Sequence, residues 1–102
     1  MASQLEKIAA RIASIKAELA AIEEMRPGSL TRQYKDPEEQ SGGYYQLSYT
    51  RDGRSRTEYI PRHAVREVKA QVASYKQFKA LTEEWLALSI EQSRLKIKQK
   101  VS

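Results

Sequence analysis

The chain has 102 residues, no cysteine, 40% apolar and 30% charged residues, and a formal net charge of +5. A length of this order suits one domain and leaves little room for both a closed core and a substrate cavity. The lack of thiols excludes disulfides, cysteine nucleophiles and thiolate metal sites. The positive balance favours a polyanionic partner. No stretch near the N-terminus resembles a secretory leader, and no segment approaches about 18 consecutive apolar residues. The expectation is a soluble cytoplasmic protein with no membrane partner.

Ser3-Gln4-Leu5-Glu6 has the pattern of a capping box, in which hydroxyl and carboxylate satisfy the donors that a helix start leaves free. From it runs a heptad seam with Leu5, Ile12 and Leu19 at one position and Ile8, Ile15 and Ile22 at the other. This predicts a helix over residues 3–26, stopped by Pro27 and Gly28. The order of Leu and Ile along the seam disfavours a parallel two-stranded coil and fits an antiparallel pair or a four-helix bundle. Residues 27–43 are polar, include Asp36-Pro37-Glu38-Glu39 and end in Ser41-Gly42-Gly43, so they read as a mobile loop with an acidic tip.

Residues 44–60 switch to strand chemistry around Asp52-Gly53, which predicts a β-hairpin. Two registers compete. A three-residue loop of Arg51, Asp52 and Gly53 pairs Leu47 with Thr57 and Tyr45 with Tyr59. A two-residue Asp-Gly turn sets Leu47 against Glu58 and Tyr49 against Arg56. The first is preferred because it gathers Tyr45, Leu47, Tyr49, Thr57 and Tyr59 on one face and puts Arg54 and Arg56 on the other.

Pro61 suits the first turn of a second helix, over residues 61–100 and roughly 58 Å long at 1.5 Å per residue. Val65, Val68, Val72, Tyr75, Phe78, Leu81, Trp85, Leu88 and Leu95 form its seam, with Gln92 as a polar interruption. The first helix, roughly 36 Å long, is too short to cover it all. A second stripe of Leu86, Ile90, Ile97 and Val101 is therefore expected to serve an oligomer interface, with a homodimer as the default closed form. The expected class is α+β and mostly helical. It is a single domain of N-terminal helix, central β-hairpin and long C-terminal helix, the helices paired as an antiparallel coiled coil.

The inventory argues against an enzyme. The lone His63 has no Cys or second His to join in a metal site or a nucleophile pair, and it reads as an exposed structural residue. Glu38-Glu39 and Glu83-Glu84 are adjacent pairs that do not converge on one point, and Gly42-Gly43 lacks the residues of a phosphate loop. No catalytic residue, metal, cofactor or small-molecule substrate is expected. What remains is cationic: Arg51, Arg54 and Arg56 on the hairpin, then Arg62, Arg66 and Lys69 on the opening turns of the second helix. A two-stranded ribbon bearing Arg fits a major groove, while the plainer reading is a solvated hairpin edge on which Arg discourages aggregation. The basic end of the second helix, Arg94 to Lys100, suits the helix dipole equally well.

Three runs also carry a resemblance. They are Gly28-Ser29-Leu30-Thr31-Arg32-Gln33-Tyr34, Gly43-Tyr44-Tyr45-Gln46-Leu47-Ser48-Tyr49, and Tyr75-Lys76-Gln77-Phe78-Lys79 with Trp85 and Leu88. Over residues 28–94 the chain resembles a family of short uncharacterised prokaryotic proteins whose members often occur near transposases and other mobile-element genes. Typical members carry a cysteine-rich insertion, suggestive of a zinc knuckle, between the positions matching Tyr34 and Gly43. Residues 35–42 here have no such ligand set, so no metal function carries over. The resemblance implies no activity and only inclines the reading toward DNA or RNA. The first expectation is a non-catalytic nucleic-acid-binding accessory protein of a mobile element, with DNA the favoured partner. The alternative is a structural or adaptor protein that associates with itself or with another protein. A membrane-surface role is weaker still, since helix pairing accounts for the apolar seam.

Overall fold

The computed structural model describes residues 3–36, 38, 39 and 41–101, and the side chains of Ser41 and Val101 lie outside what is described. It is an α+β structure of a helix, a three-stranded antiparallel sheet in the order β1-β2-β3, and a long C-terminal helix. The elements are α1 (Gln4–Ala21), β1 (Ser29–Asp36), β2 (Ser41–Arg51), β3 (Arg54–Ile60), a 3-10 turn at Arg62–Ala64, and α2 (Val65–Val101). The chain divides into two compact units, Met1–Ile22 with Gln77–Ser102, and Glu23–Lys76.

In the first unit, the Ser3 hydroxyl accepts the Glu6 amide and starts α1. Ile8, Ile12 and Ile15 of the heptad seam are buried, as is Leu81 on α2. The Gln4 amide donates to Glu91 at 2.6 Å, and the Arg11 guanidinium donates to both carboxylate oxygens of Glu84 at 2.7 and 2.8 Å. Partner numbers fall along α2 as they rise along α1, so these segments run antiparallel. Lys16 lies 5.3 Å above the Trp85 ring. α1 ends at Ala21, earlier than the expected Arg26, and Ile22 is extended. No basic residue complements its last turn, and Glu23 and Glu24 follow where the helix dipole disfavours carboxylates.

The second unit corrects two expectations. Residues 29–36 and 41–43 are strand and not loop: β1 pairs with residues 41–48 of β2, Leu30 opposite Leu47 and Arg32 opposite Tyr45, so the sheet has three strands where a hairpin was expected. Glu38 and Glu39 form the turn between them, with the Glu39 amide donating to Asp36; Pro37 and Gln40 of the expected acidic tip lie outside the described residues. The hairpin register is also the one not preferred. Arg51 faces Arg54, Tyr49 faces Arg56, and Leu47 faces Glu58. Asp52 and Gly53 have φ of 53° and 75°, the two positive values of a type I′ turn, whose twist matches that of the strands it joins.

Side chains directly opposite across the ladder share a face. One face therefore carries Leu30, Arg32 and Tyr34, then Tyr45, Leu47 and Tyr49, then Arg56, Glu58 and Ile60. Leu47 and Ile60 pack there with Val68 and Val72 of α2, flanked by Leu30, Tyr45, Tyr49, Ala64 and Val65. The other face carries Tyr44, Gln46 and Ser48 with Thr57 and Tyr59. Gly28, at φ 112°, has no room for a side chain, because a Cβ would overlap the Ser48 carbonyl.

Candidate nucleic-acid interface

The register decides where the cations go. With β3 shifted by one residue from the expected pairing, Arg54 and Arg56 still share a face, but it is the face of Tyr45 and Tyr49 and not the opposite one. Arg51 lies directly across from Arg54 on that face. Like charges in such a position repel, and this arrangement gathers three exposed guanidinium groups at the tip of the hairpin.

Arg62, Arg66 and Lys69 are not part of that group. β3 separates the two sets by about 20 Å at roughly 3.3 Å per residue. Arg66 and Lys69 follow Arg62 at spacings of four and three, which stacks them along one side of the 3-10 turn and the start of α2. There they border a groove of about 510 Å³ together with Arg32, Tyr45 and Val65. Four of its six lining residues are cations and none is acidic. The exposed N-terminal amides of a helix add partial positive charge to such a place.

Arg32 did not stand out in the sequence, because it falls in the segment read as a loop. Its guanidinium lies 5.3 Å from the Tyr34 ring centroid and 6.0 Å from that of Tyr45, above Gly43. A Cβ on Gly43 would meet the Arg32 guanidinium at 2.9 Å, so the glycine makes space for it. The alternation of Leu30, Arg32 and Tyr34 was the available signal, since a period of two places all three on one face of a strand.

Elsewhere in this unit one cation is paired. Arg26 donates to Glu58 and lies 5.6 Å from the Tyr49 ring centroid, and hydrogen bonding to Glu58 raises the Arg26 pKa above its ordinary value. The Arg26 amide also donates to the Gln71 carbonyl, and the Gln71 side chain donates to Glu24. Glu23, Glu24 and Glu67 line a separate groove with Ala70, Gln71 and Ser74. The first turns of α2 thus carry a cationic side, an acidic side and, through Val68 and Val72, a buried side.

His63 is exposed in the 3-10 turn. Among the described residues no group of three or more His, Cys, Asp or Glu side chains is arranged to hold a metal ion. On the expected oligomer stripe, Leu86, Ile90 and Ile97 are 55%, 45% and 60% exposed, and the side chain of Val101 lies outside the described residues. No helix among the described residues is long and apolar enough to cross a membrane.

The fold and this surface define a small α+β protein with a cationic groove between a sheet and a helix start. A family model described as a domain of unknown function (DUF6788) matches residues 2–70, and the chain belongs to that family. The match takes in α1, the whole sheet and the first turns of α2, including every residue of the cationic groove. No curated protein and no solved structure matches the chain.

Proposed function

We propose that the protein is a non-catalytic nucleic-acid-binding accessory protein, acting in the cytoplasm, that holds phosphates in the groove of Arg32, Arg62, Arg66 and Lys69. The observation that carries this reading is the convergence of four cations from β1 and from the start of α2 on one groove without a carboxylate. None of the four is in an ion pair among the described residues, so their charge is available to a ligand. Arg51, Arg54 and Arg56 extend the positive charge along the same sheet face, far enough to follow a nucleic-acid backbone over several phosphates. The mobile-element setting rests on the family resemblance, and DNA is the partner it favours. The test is fluorescence anisotropy of labelled DNA and RNA over a salt series. Affinity should fall steeply with salt, and replacing Arg62 and Arg66 by Ala should flatten that dependence. Absence of binding by the wild type even at low salt would remove the reading.

A second reading is self-association, favoured by the exposure of Leu86, Ile90 and Ile97. In it, α1 and the later turns of α2 form an antiparallel coiled coil whose uncovered stripe packs on a second copy. Leu86→Ser with Ile90→Ser should then reduce the solution mass of the protein to that of a monomer, read by sedimentation or light scattering.

A further inference from the structure

The face of the sheet turned away from the core has a composition of its own. Thr31, Gln33, Ser48, Ser55 and Thr57 are exposed on it. Amid these short polar side chains Tyr59 is 65% exposed, the highest value among the large apolar and aromatic side chains of the described residues. A tyrosine so placed contributes little to stability, because its ring is not removed from water. It does not stand alone. The Tyr44 ring centroid lies 6.4 Å away at an interplanar angle of 38°, too tilted for the two rings to stack on each other. Both border a hollow of about 630 Å³ with Lys35, Gly42 and Gly43. By the strand alternation, Asp36 and Glu58 belong to the core-side face, so the strands place no carboxylate on the outer one.

We propose that this outer face is a stacking platform for the unpaired bases of a single-stranded nucleic acid, with Tyr59 and Tyr44 under the bases and Lys35 on the backbone. The proposal rests on the nucleic-acid reading above and adds the strandedness of the ligand. Aromatic rings on an open sheet, beside a lysine and with no carboxylate from the strands, suit a strand whose bases are splayed out, since every base has a π-face to offer. A duplex keeps its bases stacked inside and has no use for the rings. The two surfaces are also neighbours. Consecutive residues Tyr44 and Tyr45 point to opposite faces, Tyr45 into the cationic groove and Tyr44 onto the platform. One strand passing over the sheet edge meets both.

The test compares a single strand of about 15 nucleotides, a length set by the usual site size of such surfaces, with the duplex of the same sequence and with an abasic strand of the same length. Binding is measured by anisotropy for the wild type, Tyr59→Ala, Tyr59→Phe and Tyr59→Leu, with circular dichroism to verify the fold. Tyr59→Ala and Tyr59→Leu should weaken single-strand binding roughly ten-fold or more, Tyr59→Phe should retain it, and duplex binding should not change. For the abasic strand, wild type and Tyr59→Ala should bind alike. Equal binding of the single strand by wild type and Tyr59→Ala, or equal losses for single strand and duplex, would overturn the platform. So would a change in solution mass on Tyr59→Ala, which would make the face an interface between copies. In any of these cases, duplex binding that still depends on Arg62 and Arg66 leaves the groove standing, whereas a wild type that binds no oligonucleotide overturns both.

Discussion

Arg11 of the helical unit and the clustered arginines of the sheet unit are used in opposite ways. In the helical unit, Arg11 is held between Glu84 and Glu18, 2.7 and 3.3 Å away, so its charge is spent on joining α1 to α2 and on bracing α1 itself. In the sheet unit Arg26 is answered by Glu58, but the groove of Arg32, Arg62, Arg66 and Lys69 and the tip of Arg51, Arg54 and Arg56 have no carboxylate in ion-pair contact among the described residues. Cations with acidic partners are architecture; cations clustered without them, at a cost in mutual repulsion, mark a surface kept for an anionic ligand.

The sharpest way to break this comparison is to weaken each unit from within. Ile15→Ala and Leu47→Ala each empty a site that is fully buried, and each should cost about 2–5 kcal/mol in denaturant unfolding. Only Leu47→Ala should also lower nucleic-acid affinity under conditions where both variants remain folded, because Leu47 supports the strand that carries Tyr45. The next effect concerns charge. Replacing Arg62, Arg66 or Lys69 by Ala should lower the slope of log affinity against log salt by about 1 for each residue removed. Arg11→Ala should leave that slope as it is.

Glycines allow a finer comparison inside the sheet unit. Gly28→Ala forces a side chain against the Ser48 carbonyl at φ 112°, and should cost more than the roughly 1 kcal/mol of a left-handed alanine alone. Gly53→Ala, at φ 75° with nothing within 4 Å, should cost only that smaller amount, as read from thermal melts. The smallest effect is a dependence on pH. Hydrogen bonding from Arg11 holds the Glu84 carboxyl below its ordinary value of 4.5. The contact therefore contributes fully above that pH, and its contribution is lost as pH falls through the lowered value. Arg11→Gln should remove this part of the acid sensitivity of unfolding.

Much of the helical unit was legible in the sequence because its signals are local and repeat. The Ser3 cap, the spacing of Ile8, Ile12 and Ile15, and the unbroken run after Pro61 each follow from short-range rules. The sheet was harder to read because its decisive contacts are distant. β1 contains Arg32, Gln33 and Lys35, polar enough to resemble a loop, and it becomes a strand by pairing with β2. The preferred register assumed that Tyr59 belonged with the core and that Glu58 did not. In the structure Glu58 lies on the core-side face because Arg26, more than thirty residues earlier, supplies its partner, and Tyr59 is left in solvent. Reading β1 as a loop hid Arg32 from the candidate site, and the length of β3 divides the one expected cluster into a groove and a tip.

Asp36 at the end of β1 pairs across the ladder with Ser41 at the start of β2, so the chain leaves the sheet and returns to it at the same level. A connection closed in this way can be lengthened without shifting the register on either side, and each doubling of its length costs only about 0.6 kcal/mol in loop entropy. In the laboratory this turn is the natural port for a label or a tag.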